Sequence, residues 1–269
     1  VGDPACEQDH KTALETNYAA TRMMIEVARG EHVQRFVFAS SCSVYGASDE
    51  VMYEDSAVRP ISLYAETKVD SEKALLAEAS QDFHPTILRF STIFGLAPRP
   101  RFDLVVNLLA ARAIQERTIT IFNGEQWRPF LHVSDAAEAV VQALTAPAEA
   151  VSGQVFNVGD DRMNFCLADI GRLIQSMFPG TAVENVENSD RRSYRVSFDK
   201  IREALGFRCT HSIEDGLQEI KTAFERRQIT DYRDPYYSNV QFLKKHGSPL
   251  NRDRKDERVM AAFAGRAGD

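Results

Sequence analysis

Between Lys11 and Arg29 the apolar and small residues Leu14, Tyr18, Thr21, Ile25 and Ala28 recur at three- and four-residue steps, a helical stripe. Gly30 follows where a helix can close in a left-handed turn. The next run, Arg35-Phe36-Val37-Phe38-Ala39, has no such period and reads as a buried strand. The helical pattern returns from about Leu63 to Ala79, burying Val69, Ala74 and Leu76 while Glu72 and Lys73 face solvent. Thr86 to Phe90, preceded by Pro85, is another short strand. Strands and helices alternating in this way predict an α/β fold, with a parallel sheet covered by helices on its faces.

Beyond Gly95 the pattern loosens into Leu96-Ala97-Pro98-Arg99-Pro100-Arg101, a loop, and then resumes. A helix is predicted from about Asp103 to Gln115, which Asp103 can cap, and a strand from Thr118 to Phe122. Ser134 can cap a helix that runs to Leu144, with Asp135 favourable in its first turn. Gln154 to Val158 reads as a strand and Leu167 to Met177 as a helix. In the helix from Ser212 to Phe224, Asp215 completes a pattern close to a capping box. From Asp231 onward Pro, Tyr, Asn, Lys and Arg dominate, and the segment after His246 reads as a mobile tail.

The 269 residues suffice for a sizeable core, in one large domain or two small ones. Lys and Arg number 32 against 39 Asp and Glu, a net charge of −7 that argues against nucleic acid as a partner. Local arginines can still grip a small phosphate ligand. Cys6, Cys42, Cys166 and Cys209 are scattered and suggest neither a zinc site nor a disulfide framework. Reduced thiols in a cytoplasmic protein are the plain expectation. No apolar run approaches the roughly 20 residues of a membrane helix, and Val1-Gly2-Asp3-Pro4 lacks a signal core.

The chemistry concentrates in Ser62-Leu63-Tyr64-Ala65-Glu66-Thr67-Lys68. Four residues apart on a helix, Tyr64 and Lys68 share a face, so the ammonium can stabilise a phenolate. A tyrosine tuned in this way exchanges a proton with a hydroxyl near neutral pH, although its ordinary pKa is about 10. Ser41, after the strand, would hold that hydroxyl in line. The bare spacing also suits a half-buried tyrosine beside a solvated lysine.

The wider order distinguishes the two readings. An apolar strand, then Ser40-Ser41-Cys42-Ser43-Val44-Tyr45-Gly46, a loop through Pro60 and the tyrosine helix follow one another. Asn17-Tyr18-Ala19-Ala20-Thr21, Leu88-Arg89-Phe90-Ser91-Thr92-Ile93-Phe94-Gly95 and Arg128-Pro129-Phe130-Leu131-His132-Val133-Ser134-Asp135 add three ordered matches. Together they resemble the extended short-chain dehydrogenase/reductase family, the NAD-dependent sugar-nucleotide epimerases and dehydratases. Weaker likeness continues in Asn157-Val158-Gly159 and Ser197-Phe198-Asp199-Lys200.

That resemblance implies a Rossmann-like, doubly wound parallel sheet with a smaller substrate-binding region. Residues 1–95 would then be the cofactor domain, 96–230 mainly the substrate region and 231–269 a tail. Ser41, Tyr64 and Lys68 fall on the family's catalytic positions. Asn17, Ser40 and Phe90, with Tyr64 and Lys68, fall on its cofactor side. Ser43, Thr92, Asp103, Phe122, Arg128 and Arg192 fall on its substrate side, Arg128 gripping a pyrophosphate, Phe122 meeting the base, and Arg191 and Arg195 competing with Arg192. Tyr45 and Tyr194 could line the sugar pocket, and the histidine corresponding to His132 is structural. A homodimer through the helices carrying Asn17 and Tyr64 is also implied.

None of the 14 glycines forms the G-x-G-x-x-G turn that a dinucleotide fold uses to approach a pyrophosphate. The family carries that turn well upstream of its serine, so the chain is expected to begin inside the cofactor domain and to bind dinucleotide poorly. The family's dehydratases place an Asp-Glu pair directly after the catalytic Thr. Here Cys42 and Ser43 stand there, which disfavours dehydration. What remains is a nucleotide-sugar 4-epimerase with tightly held NAD, of the UDP-glucose 4-epimerase kind, or a 4-ketoreductase using exchangeable NADPH. A silent nucleotide-binding scaffold is the third reading.

Overall fold

The computed structural model describes residues 2–247. The chain opens with α1 (Asp3–Cys6), α2 (His10–Leu14), a π-helical turn (Glu15–Ala19) and α3 (Ala20–Gly30). Strand β1 (Arg35–Ser41) runs into a 3-10 turn (Cys42–Tyr45), followed by β2 (Ala47–Met52), α4 (Leu63–Ala77), β3 (His84–Phe90) and β4 (Thr92–Phe94). Next come α5 (Val105–Glu116), β5 (Thr118–Phe122), β6 (Trp127–His132), α6 (Val133–Thr145), α7 (Ala148–Val151) and β7 (Gln154–Val158). The last part holds β8 (Asn164–Cys166), α8 (Leu167–Met177), β9 (Ala182–Val186), β10 (Ser193–Val196), α9 (Asp199–Leu205), α10 (Ile213–Glu225) and α11 (Asn239–His246).

Strands β1, β3 and β7 form a parallel sheet in that order. Alternation along a strand sends successive side chains to opposite faces. Ile87 therefore packs with Phe38, Ile25 and Leu75 beneath α3 and α4, while Leu88 packs with Phe156, Ala136 and Ala139 beneath α6. Helices on both faces make this the doubly wound sheet that the alternating pattern predicts. Beside it β4 pairs with β6 in parallel and β6 with β8 antiparallel, whereas β10 joins β2 and β9 joins β5. Strand β6 links the two cores: Phe130 enters a cluster with Val106, Ile119, Ile170 and Leu217, and its neighbour Leu131 enters the sheet core.

Several predicted elements need correction. The stripe from Lys11 to Arg29 is not one helix, because the Thr21 hydroxyl (2.7 Å) and the Ser71 hydroxyl (3.2 Å) both bond the Asn17 carbonyl inside the π-helical turn. Gly30 is the last helical residue, and His32 takes the left-handed conformation with φ 57°. Helix α5 starts after Asp103, and α6 is capped by His132, whose Nδ1 accepts from the Ser134 amide at 3.3 Å. Ser212 and Asp215 do form a capping box at α10.

Of the tail expected from 231, the described residues are packed, since the Phe102 amide donates to the Tyr237 carbonyl at 2.9 Å and the two rings meet edge to face. The rest of the predicted tail lies outside the described residues. Among the described residues no helix is long and apolar enough to cross a membrane.

Candidate active site

Helix α4 is started by Ser62, whose hydroxyl accepts from the Ala65 amide at 3.2 Å. This sets Tyr64 and Lys68 one turn apart, facing the end of β1. The Lys68 ammonium donates to the Ala39 carbonyl at 2.7 Å and sits 5.7 Å from the centre of the Tyr64 ring. Ser41 ends β1 and caps the 3-10 turn, accepting from the Ser43 amide at 3.2 Å and the Ser43 hydroxyl at 2.9 Å. The three expected catalytic side chains are thus brought to one place by one helix and one strand end.

The electrostatics differ from the expected phenolate. Burial first, and then the Asp3 carboxylate, push the Tyr64 phenol up to about 12, against the opposing effect of the Ser41 hydroxyl. Burial draws Lys68 down to about 8. The chain by itself therefore holds a neutral phenol beside an ammonium, and a phenolate needs further positive charge in the cleft.

Behind these residues lies a buried ionic network that the sequence pattern did not reveal. Glu72, expected in solvent, is 4% exposed. Its carboxylate accepts from the Ser40 hydroxyl and from Arg89, at 3.0 Å from Nε and 2.7 Å from Nη2. The hydroxyl of Ser40, expected on the cofactor side, is thereby buried against Glu72. Tyr45 is fully buried, donates to Asn157 at 2.7 Å and lines no sugar pocket. The available signal was Arg89 itself, since a charge inside a parallel strand covered on both faces requires a buried partner.

On the substrate side, Arg128 is buried over the Tyr194 ring and donates to the Trp127 and Arg192 carbonyls. Arg192 holds Asp190 through Nε at 2.9 Å and also pairs with Asp3. The two arginines thus meet around Asp190, and Arg192 is paired with carboxylates of the chain itself. Asp103, expected on the substrate side, accepts from Arg101 Nε and from the Asn239 amide, each at 2.9 Å. Asn17 likewise spends its amide on the Cys6 sulfur at 3.3 Å. Phe90, paired with Ser41 across the sheet, and Thr92, at the start of β4, are half-buried, while Phe122 is exposed.

His132 is buried and meets Glu219 at 3.0 Å. Gly95, at φ 94°, leaves it room, because a Cβ there would lie 2.3 Å from the ring. Asn107, overlooked in the sequence, bonds both the amide and the carbonyl of Gly95 and fixes the start of the loop to Arg101.

The family model of the NAD dependent epimerase/dehydratase family matches residues 1–159. The chain belongs to that family. It is 34% identical over 145 residues to the uncharacterized UDP-glucose epimerase YtcB of Bacillus subtilis, covering 53% of this chain and 45% of the relative. The UDP-glucuronate 4-epimerase of Thermodesulfobacterium geofontis is 24% identical over 76% of this chain and 64% of its own length. Among solved structures, MoeE5 in complex with UDP-glucose and NAD superposes with a TM-score of 0.73 at 29% identity, covering 84% of this chain and 76% of MoeE5. The chain therefore spans about half the length of the first of these relatives.

NAD is the cofactor of the family, and the residues present fit one end of it. An ammonium has three N–H donors, and among the described residues Lys68 spends one of them, on Ala39. The remaining donors and the Tyr64 phenol suit ribose hydroxyls. No glycine-rich turn for the pyrophosphate occurs in the chain.

Proposed function

We propose that this chain carries the catalytic and substrate-binding residues of an NAD-dependent nucleotide-sugar 4-epimerase that works through a 4-keto sugar. The observation that carries the reading is the convergence of Tyr64, Lys68 and Ser41 at the end of β1, next to a turn that offers no further acid or base. Cys42 is buried, its thiol is pushed up to about 12 by burial, and its sulfur meets the Arg89 carbonyl at 3.1 Å. The Ser43 hydroxyl is spent on Ser41. Elimination of water from the sugar has no proton donor at these positions.

NAD, held at one end by Lys68 and Tyr64, would supply the hydride acceptor and donor for the sugar carbon. Tyr64 removes the proton from the 4-hydroxyl and gives it back, and Ser41 shares that hydrogen bond. Lys68 supplies the positive charge that lowers the cost of the phenolate. Arg128 and Arg192 suit the diphosphate, with Arg192 released by Asp190 and Asp3 as phosphate replaces them. The exposed Leu14, Met24 and Val27 along α2 and α3 are the surface through which two copies would pair.

The test supplies NAD and UDP-glucose to the purified protein and follows UDP-galactose by chromatography. Interconversion supports the reading, whereas release of water with a 4-keto-6-deoxy product refutes it. Light scattering tests the pairing, and a monomer at micromolar concentration would exclude it.

A further inference from the structure

Register places Ser40 of β1, Arg89 of β3 and Asn157 of β7 side by side across the sheet. Such neighbours stand on one face. Glu72, one turn beyond Lys68 on α4, lies over this row and accepts from Ser40 and from Arg89. Arg89 continues to the Tyr45 hydroxyl at 2.9 Å and the Glu54 carbonyl at 3.2 Å. Tyr45 is the last residue of the turn that Ser41 caps. Helix α4 is therefore tied to two consecutive residues just before Ser41: Lys68 holds Ala39 and Glu72 holds Ser40.

Stability alone is a poor reason for this pair, because a buried ion pair contributes little over apolar residues of the same volume. Two apolar side chains would fill the space. They would neither bond the strand end nor place a negative charge beside Lys68. The groups facing Lys68 are the Ala39 carbonyl and Phe38 ring of β1, Tyr64 and Glu72 of α4, and Cys6 of α1. Cys6 is a thiol pushed up by burial, so Glu72 is the carboxylate of the set.

Resting on the epimerase reading, we propose that Glu72 is a positioning residue for the reaction, fixing Ser40 and Ser41 against α4 and placing a carboxylate one helical turn from Lys68. Burial works against the Lys68 ammonium, and Cys6 and then Glu72 oppose the burial.

The experiment is a carbon-13 NMR titration of the Lys68 ε-methylene in the full chain, assigned with Lys68→Arg. In Glu72→Gln the midpoint is expected to fall by about one pH unit relative to the unchanged protein. Glu72→Asp should recover part of the shift. Should Glu72→Gln fail to fold, Glu72→Asp alone, whose charge is drawn back from Lys68, is read in its place and should show a smaller fall. An unmoved midpoint in a folded variant overturns the proposal. In the active protein Glu72→Gln should lower kcat about tenfold, with KM little changed and the alkaline limb moved the same way. Absence of any turnover in the unchanged protein would sink the epimerase reading alone, since the titration decides Glu72 independently.

Discussion

Arg89 and Arg192 both pair with a carboxylate, but in opposite surroundings. The side chains of Arg89 and Glu72 are 7% and 5% exposed, and their partners are fixed groups of the sheet and α4. Arg192 is 31% exposed, and so in part are its partners Asp190 and Asp3. Inside the protein an unpaired ion is costly, so its partner is part of the fold. At a cleft, water and screening make the pair cheap to exchange. On the proposed reading the first arginine would build the catalytic side, and the second would be available to an incoming phosphate.

The sharpest break between the regions is chemical. Tyr64→Phe removes one oxygen from the cleft and is expected to lower turnover by about a hundredfold or more, the usual contribution of a placed acid or base. Its unfolding curve should stay where it is. Turnover surviving in Tyr64→Phe would remove the phenol from the mechanism. Activity should also fall as pH rises through about 8, where Lys68 loses its proton.

Stability should separate the two arginines next. Removing one partner of the buried pair, as in Glu72→Ala or Arg89→Ala, leaves an uncompensated charge and is expected to cost about 3–5 kcal/mol in urea unfolding. Asp190→Ala should cost about 1 kcal/mol or less. Equal losses would mean that the two pairs are alike and that exposure is a poor guide to their roles.

Much of the catalytic side was legible because its signals are local. Tyr64 and Lys68 are a turn apart on one helix, and Ser41 ends β1, with only a 3-10 turn, the short β2 and a loop between. Strands β5 and β7 and helix α8 appear where alternation and apolar runs predicted them. The failures are long-range. Glu72 looks solvent-facing until Arg89 is brought beneath it from a strand 17 residues away. Asp103 has the residue type of a helix cap, but Arg101 and the distant Asn239 amide claim it first. The short strands β2 and β10 carry little pattern of their own and exist because each supplies the other's hydrogen bonds.

The exchangeable pair makes its own, smaller prediction. Arg192→Ala should weaken UDP binding by about tenfold, about 1.4 kcal/mol, as read by calorimetry. Asp3→Asn should act in the other direction, because Arg192 then has one competitor fewer. If both variants bind UDP as the unchanged protein does, the diphosphate lies elsewhere.

The smallest expected effect concerns Phe122, and it tests how far the substrate side extends. Phe122 is 46% exposed, and Val186, its partner on β9, is 42% exposed. An aromatic ring with little packed over it adds little to folding, so Phe122→Ala should change stability by only about 0.5 kcal/mol. A base resting on the ring gains more than that from face contact, about 0.5–1.5 kcal/mol. UDP affinity should therefore fall about threefold while inorganic pyrophosphate binds as before, because only the former has a base to lose. A loss shared by both ligands would show that Phe122 acts by shaping the arginine cluster, and no loss with either would confine the exchangeable surface to Arg128 and Arg192.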